Sequence, residues 1–537
     1  MADNPRDLPE GFNALSLSRR QLLTAAGGVV LAGTLAACGS SSSSSSSSSG
    51  GSAAAGTPKK GGNFRLGVTG GGSGDIIDGQ SIVTKPDQAR LVAGWETLLE
   101  YDKDYKLQQT GLAEEVTQDA PDVWTVRLRD GIEFHDGKPL TADDVVYSIN
   151  RILNPEEGLF GNAGLASIDP KLIKKMDNLT VRLKLKQADS TIGDQLGQYY
   201  NGIVPQGYSR KGKQIGTGPY TLKSFTPGQQ SVHERNPNYW REGPYFDSVT
   251  VIDFPDPNAQ VNALRSGQID AMTDIPFGQI EVAKQAGLTV LESQGGGWLP
   301  LCMAIDLAPF DDPLVRQAFR LMADREQLLQ QVLSGHGRVA NDLYSPFDAC
   351  FDTSLPQRQQ DLEQAKSLLK QAGQEGLTVD LHTTDGAAGM VDSARVFVEQ
   401  AKGAGVTINL KVDPNYYGDK YLKLPFSVDF WGTRNYLPQV ANGSIPTAPY
   451  NECHWPPKDS NYLALYQQAL AETDPTKRCD IVHEMQKLEY DQGGYIIPFF
   501  NNLVDSFSSK VKGFEAGRGT LNLDAFGHGF RTIWFES

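Results

Sequence analysis

Leu377–Leu381 (LTVDL), Asp392–Lys402 (DSARVFVEQAK) and Val406–Val412 (VTINLKV) read in order as strand, helix and strand. A strand that returns to its sheet through a helix runs parallel to the strand it left, so this stretch predicts a βαβ unit and a parallel sheet pair. Trp124–Leu128 and Leu179–Leu185 instead alternate apolar with polar residues, the mark of half-buried strands. The fold class is therefore α/β with mixed sheets.

Working outward, Asn63–Val68 reads as a strand running into a glycine-rich loop, Gly70–Gly74, where missing side chains let a partner approach the backbone. Thr141 with Asp144 three residues on is a capping box. Val145, Ile149, Ile152 and Leu153 form the buried stripe of its helix, and Asn154-Pro155 ends it. Asp312-Pro313 opens a second helix with Leu314, Val315, Ala318, Phe319 and Met322 inward, and Asp324 starts a third that ends near Gly335.

The 537 residues suffice for about three domains or one large two-lobed body. With 49 Lys and Arg against 64 Asp and Glu the net charge is −15, and in the leader Asp3, Asp7 and Glu10 cancel Arg6, Arg19 and Arg20. Such a surface repels phosphate backbones and anionic lipid, which argues against nucleic-acid partners.

The N-terminus is an address. Ser18-Arg19-Arg20 precedes the uncharged Leu22–Ala37, which at 16 residues is shorter than the roughly 20 a spanning helix needs, so 1–37 reads as a signal peptide. Leu35-Ala36-Ala37-Cys38 resembles a bacterial lipobox that would leave Cys38 diacylated, and the paired arginines resemble a twin-arginine export signal. Residues 38–60, with ten consecutive serines, are a tether too polar to fold. Cys302, Cys350, Cys453 and Cys479 allow three disulfide pairings, with four unpaired thiols as the alternative.

Four stretches in order, Leu128–Arg151 (LRDGIEFHDGKPLTADDVVYSINR), Gly216–Trp240 (GTGPYTLKSFTPGQQSVHERNPNYW), Val261–Asp270 (VNALRSGQID) and Pro309–Leu329 (PFDDPLVRQAFRLMADREQLL), resemble the peptide, dipeptide and nickel-binding family of ABC-transporter substrate-binding lipoproteins, solute-binding protein family 5 of the large three-domain type. The resemblance implies a periplasmic-binding-protein-like fold of two lobes with a ligand cleft between them. Domain I would comprise 61–88, 216–300 and 503–537, domain II 89–215 and domain III 301–502. It also implies a monomer that captures a solute outside the cytoplasmic membrane or in the periplasm, held there by a lipid on Cys38. The solute would pass to ABC permease membrane subunits, with no cofactor. His135 reads as a hydrogen-bonded turn residue, and Gly216–Tyr220 as a crossover near a hinge.

In peptide-binding relatives a Trp followed three positions later by Asp pairs with the ligand's ammonium. Here Trp431 is followed by Arg434, so the sign is reversed and a carboxylate is the group gripped. The alternative for Arg434 is a rim arginine paired with Asp429, and for Trp431 a core aromatic. Further lining candidates are Thr69, Gly70, Gly71 and Gly72 on the loop, Trp298 after three glycines, Tyr416, Tyr417, Asn435, Asn451 and Trp455. The expected solute is peptide-like or carboxylate-bearing. A surface-anchored hydrolase or a receptor that signals without transport are the alternatives. Gly-x-Ser-x-Gly, Walker and His-Glu-x-x-His motifs are absent. The Asp143-Asp144 and Asp311-Asp312 pairs sit at helix starts, where carboxylates favour the dipole, and no metal site is expected.

Overall fold

Thr378–Thr383 and Thr407–Val412 pair in parallel, Thr378 opposite Thr407 through Thr383 opposite Val412, with the helix Met390–Lys402 crossing between them. In this computed structural model the described residues are 57–82, 84–519, 522–523 and 528–536. The leader, Cys38 and the tether as far as 56 lie outside them. Pro58–Ser537 forms one compact unit.

The βαβ unit builds a five-stranded sheet with Phe426–Val428, Leu301–Met303 and Tyr495–Ile496. Among the described residues the largest sheet is centred on Asn63–Thr69. That strand runs parallel to Ser248–Phe254 and Ala271–Met272, and the sheet continues through Phe499–Ser508 to Leu288–Trp298. A third, antiparallel sheet joins Ala113–Ala120, Val123–Leu128, Thr180–Lys184 and Lys174–Lys175. The mixed α/β class follows from these pairings.

The helix starts match their sequence signals. Thr141 and Asp144 form the reciprocal capping box of Ala142–Leu153. Asp312 accepts from Leu314 N–H at the start of Pro313–Met322, and Asp324 from Gln327 N–H at the start of Arg325–Leu333. Asp143 pairs at the surface with Lys175 at 2.7 Å.

Two of the motif stretches dock on each other. The His135 ring takes Gly216 N–H at Nδ1 (3.2 Å) and faces Gly218 O at Nε2 (3.0 Å), and its backbone N–H reaches Gly216 O at 2.9 Å. Burial pushes the imidazole pKa down, so the ring is neutral and serves as donor and acceptor at once. Nothing larger than glycine fits there, because a Cβ on Gly216 would stand 2.0 Å from Gly94 O and one on Gly218 2.7 Å from it. Thr217, Tyr239 and Trp240 all donate to the buried Glu96.

This packing holds Gly216–Tyr220 closely against Gly94 and His135. The strands that leave the large sheet for the five-stranded one cross elsewhere, at 298–301 and 496–499, and each crossing carries a proline, Pro300 and Pro498. Proline has no N–H for the ladder, so both strands lose pairing at the same level, which lets two sheets meet without fusing. The crossings lie side by side, with Trp298 opposite Phe500 and Leu301 opposite Ile496. They divide the molecule into two lobes.

Candidate functional site

At the crossings the backbone places one tryptophan on another. Trp298 and Trp431 exchange backbone hydrogen bonds of 3.0 and 2.9 Å, and their rings stack at 5.9 Å. Tyr344 stacks on the Trp298 ring at 5.5 Å and Tyr495 meets it edge-on at 5.2 Å. Gly296 and Gly297 permit this approach, since a Cβ on Gly297 would stand 3.1 Å from Trp431 O and one on Gly296 2.9 Å from the Thr433 methyl. The three glycines before Trp298 therefore let one strand nestle against the 431–433 segment of the other lobe.

Arg434 lies with its guanidinium carbon 5.5 Å from the Trp431 ring centre, a cation–π arrangement. Its charge also faces the phenols of the buried Tyr105 and the half-buried Tyr200, easing the upward push that desolvation gives their pKa values. Asp429 turns away and accepts from Tyr417 OH instead.

The lobes touch along this seam. Asn435 Nδ2 donates to Asp194 Oδ1, which also accepts from Tyr101 OH at 2.8 Å. Tyr105 OH reaches Thr433 O at 3.3 Å, and Ser190 N–H reaches Leu470 O at 2.9 Å. A cavity of about 230 Å³ lies here, lined by Leu107, Trp124, Ser190, Asp194 and Arg478 among others. The structure is thus a closed form.

Burial raises the Asp194 pKa to about 6, against the lowering effect of its Asn435 and Tyr101 donors. Opening the seam would return it to the usual value of roughly 4. The closed form therefore holds the proton more tightly, so closure is favoured at low pH and loses that advantage as pH rises through about 6. Between pH 5 and pH 7.5 the closing constant is expected to fall about tenfold. A fluorescence-transfer pair across the lobes measures this, and Asp194→Asn is expected to flatten the profile.

The other sequence candidates fall in three places. Thr69 donates to Gln260 at 2.6 Å, while Gly70 and Gly71 adopt φ of +110° and +91° and wrap a buried cluster in which Arg90 meets Asp75, Asp87 and Asp253. A Cβ on Gly71 would strike Asp253 at 2.8 Å, and Gly72 N–H caps Asp75 at 2.9 Å. That glycine loop has a packing reason of its own. Tyr416 is buried and Tyr417 partly so, each edge-on to the other. Asn451 shapes its loop through Trp455 N–H and O and Ile445 O, and Trp455 is buried against Tyr462.

Only Trp298, Trp431, Arg434 and Asn435 are drawn directly into the seam. Tyr101, Tyr105, Asp194 and Ser190 were not anticipated. Nothing local in the sequence marks Asp194. Of the cysteines, Cys350 and Cys479 form a disulfide, and Cys302 and Cys453 are free and buried. Among the described residues no helix is long and apolar enough to cross a membrane.

Two lobes joined by paired crossings, with an aromatic seam closed between them, define a solute-binding protein. The chain belongs to the bacterial extracellular solute-binding proteins, family 5, whose middle region matches residues 108–464. It is 29% identical over 340 residues to the oligopeptide-binding protein AppA of Bacillus subtilis, spanning 58% of this chain and 62% of that relative's length. It is 24% identical over 432 residues to di/tripeptide-binding protein 2 of Pseudomonas aeruginosa, covering 73% and 81%. The crystal structure of the ABC-transporter substrate-binding protein CtaP from Listeria monocytogenes superposes with a TM-score of 0.79 at 22% identity, over 89% of this chain and all of that one.

Proposed function

We propose that this chain is the extracytoplasmic receptor of an ABC importer, which closes its lobes over a peptide-like, carboxylate-bearing solute and delivers it unchanged to the permease. The observation that carries the reading is Arg434. It is a cation laid on Trp431 at the lobe seam, with no ion pair among the described residues, and is thus available to a carboxylate. The oligopeptide and di/tripeptide names of its relatives support the solute class.

In this reading 61–88, 216–300 and 503–537 form domain I, 89–215 domain II and 301–502 domain III. Domains I and II make one lobe. Trp298, Trp431, Arg434 and Asn435 line the cleft at the seam, with Tyr416, Tyr417, Asn451 and Trp455 bracing the lobe behind it; Cys38 carries the lipid anchor, and export follows the twin-arginine route. The chain acts as a monomer and performs no chemistry.

A charged hydrogen bond to a carboxylate contributes about 1.5–3 kcal/mol, so Arg434→Ala is expected to weaken solute binding by one to two orders of magnitude. Titration calorimetry with the solute that co-purifies, identified by mass spectrometry, makes the measurement. Equal affinity in the mutant would remove Arg434 from the site, and recovery of a solute of altered mass would favour a hydrolase.

A further inference from the structure

Apart from Cys38, every cysteine of the chain falls between positions 302 and 479. Cys350 and Cys479 are joined as a disulfide, the mark of a protein that matures in an oxidising compartment. The other two, Cys302 and Cys453, are free, 0% and 1% exposed, and packed in one buried cluster with Trp431, Trp455 and Tyr495.

The fold brings these two thiols together from distant parts of the chain. Cys302 lies on the strand Leu301–Met303, two residues past Pro300 in the lobe crossing. Cys453 lies in the loop Asn451–Trp455, and its carbonyl accepts from Ile305 N–H at 3.0 Å, just beyond that strand. Gly494 is wedged against both: its carbonyl accepts from Met303 N–H at 2.9 Å, and a Cβ on it would stand 2.2 Å from Met303 O and 2.9 Å from Cys453 Sγ. The Cys302 thiol meets the Cys453 thiol in a hydrogen bond and reaches Glu452 Oε2 at 3.5 Å. A thiol is a weak donor and a weak acceptor, so the contact between the two sulfurs contributes little while both stay reduced.

We propose that Cys302 and Cys453 are a second cross-link of this lobe, formed by thiol–disulfide exchange with a disulfide-bearing oxidant. One thiolate attacks a sulfur of the oxidant, whose other sulfur leaves as a thiol. The second thiolate attacks the resulting mixed disulfide and releases the remaining thiol. Two S–H bonds and the oxidant's S–S bond break while one S–S and two S–H bonds form, so the pair loses two electrons and the oxidant gains them. Burial keeps the Cys302 thiol protonated, and only a thiolate attacks, so the packed lobe reacts slowly. Exchange proceeds when the loop Asn451–Trp455 lifts, or before it packs.

The cross-link pins that loop to the strand beside the crossing. Glu452, in the same loop, accepts from Trp431 Nε1 at 3.1 Å and Tyr495 OH at 2.9 Å. A fixed loop therefore steadies the tryptophan on which Arg434 lies.

The test exposes the full mature protein to oxidised glutathione in sub-denaturing urea, then alkylates it in denaturant and maps the peptides by mass spectrometry. A peptide joining Cys302 to Cys453, lighter by two hydrogens than its two parts, is expected. This form is expected to melt roughly 5 °C above the protein in which only Cys350–Cys479 is joined, and its amide exchange over 451–455 to slow by about tenfold. Cys302→Ala and Cys453→Ser, the second guarding against misfolding of the first, are each expected to abolish the rise on oxidation. Alkyl label or glutathione on both cysteines in place of the joined peptide overturns the cross-link, as does a rise of the same size in both variants. A joined peptide with unchanged melting and exchange overturns the bracing of the loop.

Discussion

Asp342→Ala is expected to lower the free energy of unfolding by about 3–5 kcal/mol, the cost of leaving buried cations without their partner. Asp342 is buried and takes both carboxylate bonds from Arg325 at 2.7 Å, a third from Arg358 at 2.9 Å and a fourth from Ile497 N–H at 3.0 Å. Burial alone would push its pKa up, but the charges of Arg325, Arg358 and Arg320 outweigh it and hold the carboxyl below its usual range. A depressed pKa contributes stability that is present above roughly pH 4 and disappears as pH falls through the lower, folded value, so acid is expected to weaken this lobe. Ile497 precedes Pro498 in a lobe crossing, which ties the network to the joint. Guanidinium unfolding of wild type and mutant gives the number, and a loss below about 1 kcal/mol would mean the arginines find other acceptors.

Trp298→Ala is expected to cost about 3–5 kcal/mol, the range for removing a fully buried large aromatic side chain. Its ring fills the space between Trp431 and Tyr344, with Tyr495 at its edge, and relaxation cannot close that gap while the backbone bonds to Trp431 persist. The same cavity would loosen the platform under Arg434, so solute affinity should fall with stability. Thermal unfolding with and without solute separates the two effects. A mutant that melts like wild type would show that the stack does not brace the crossing.

Local signals carried most of the secondary structure. The capping residues Thr141, Asp312 and Asp324 and the βαβ stretch from Leu377 to Val412 act within a dozen or so residues of themselves, so their chemistry is visible in the chain. What escaped was long-range. Asn435 meets Asp194 from 241 positions away, and no spacing rule links them. Gly216–Tyr220 reads as a crossover near a hinge because glycine permits freedom, and in the structure its glycines also serve closeness, as Gly94 and His135 occupy the space a side chain would need. The crossings at Pro300 and Pro498 gained meaning only once the strands on either side proved to be neighbours. Likewise, tryptophan and arginine near residue 431 were legible as recognition chemistry, while the stacking of Trp298 on Trp431 depends on a bridge between strands that only the fold brings together.

Solution X-ray scattering of the mature protein, emptied by a denaturant wash and refolding and then reloaded with its own co-purified solute, tests the closing of two lobes around a guest most directly. The empty protein is expected to be measurably more extended and to contract on reloading, as the contacts of Asp194 with Asn435 and Ser190 with Leu470 re-form. Identical scattering curves for the empty and loaded protein would contradict the account.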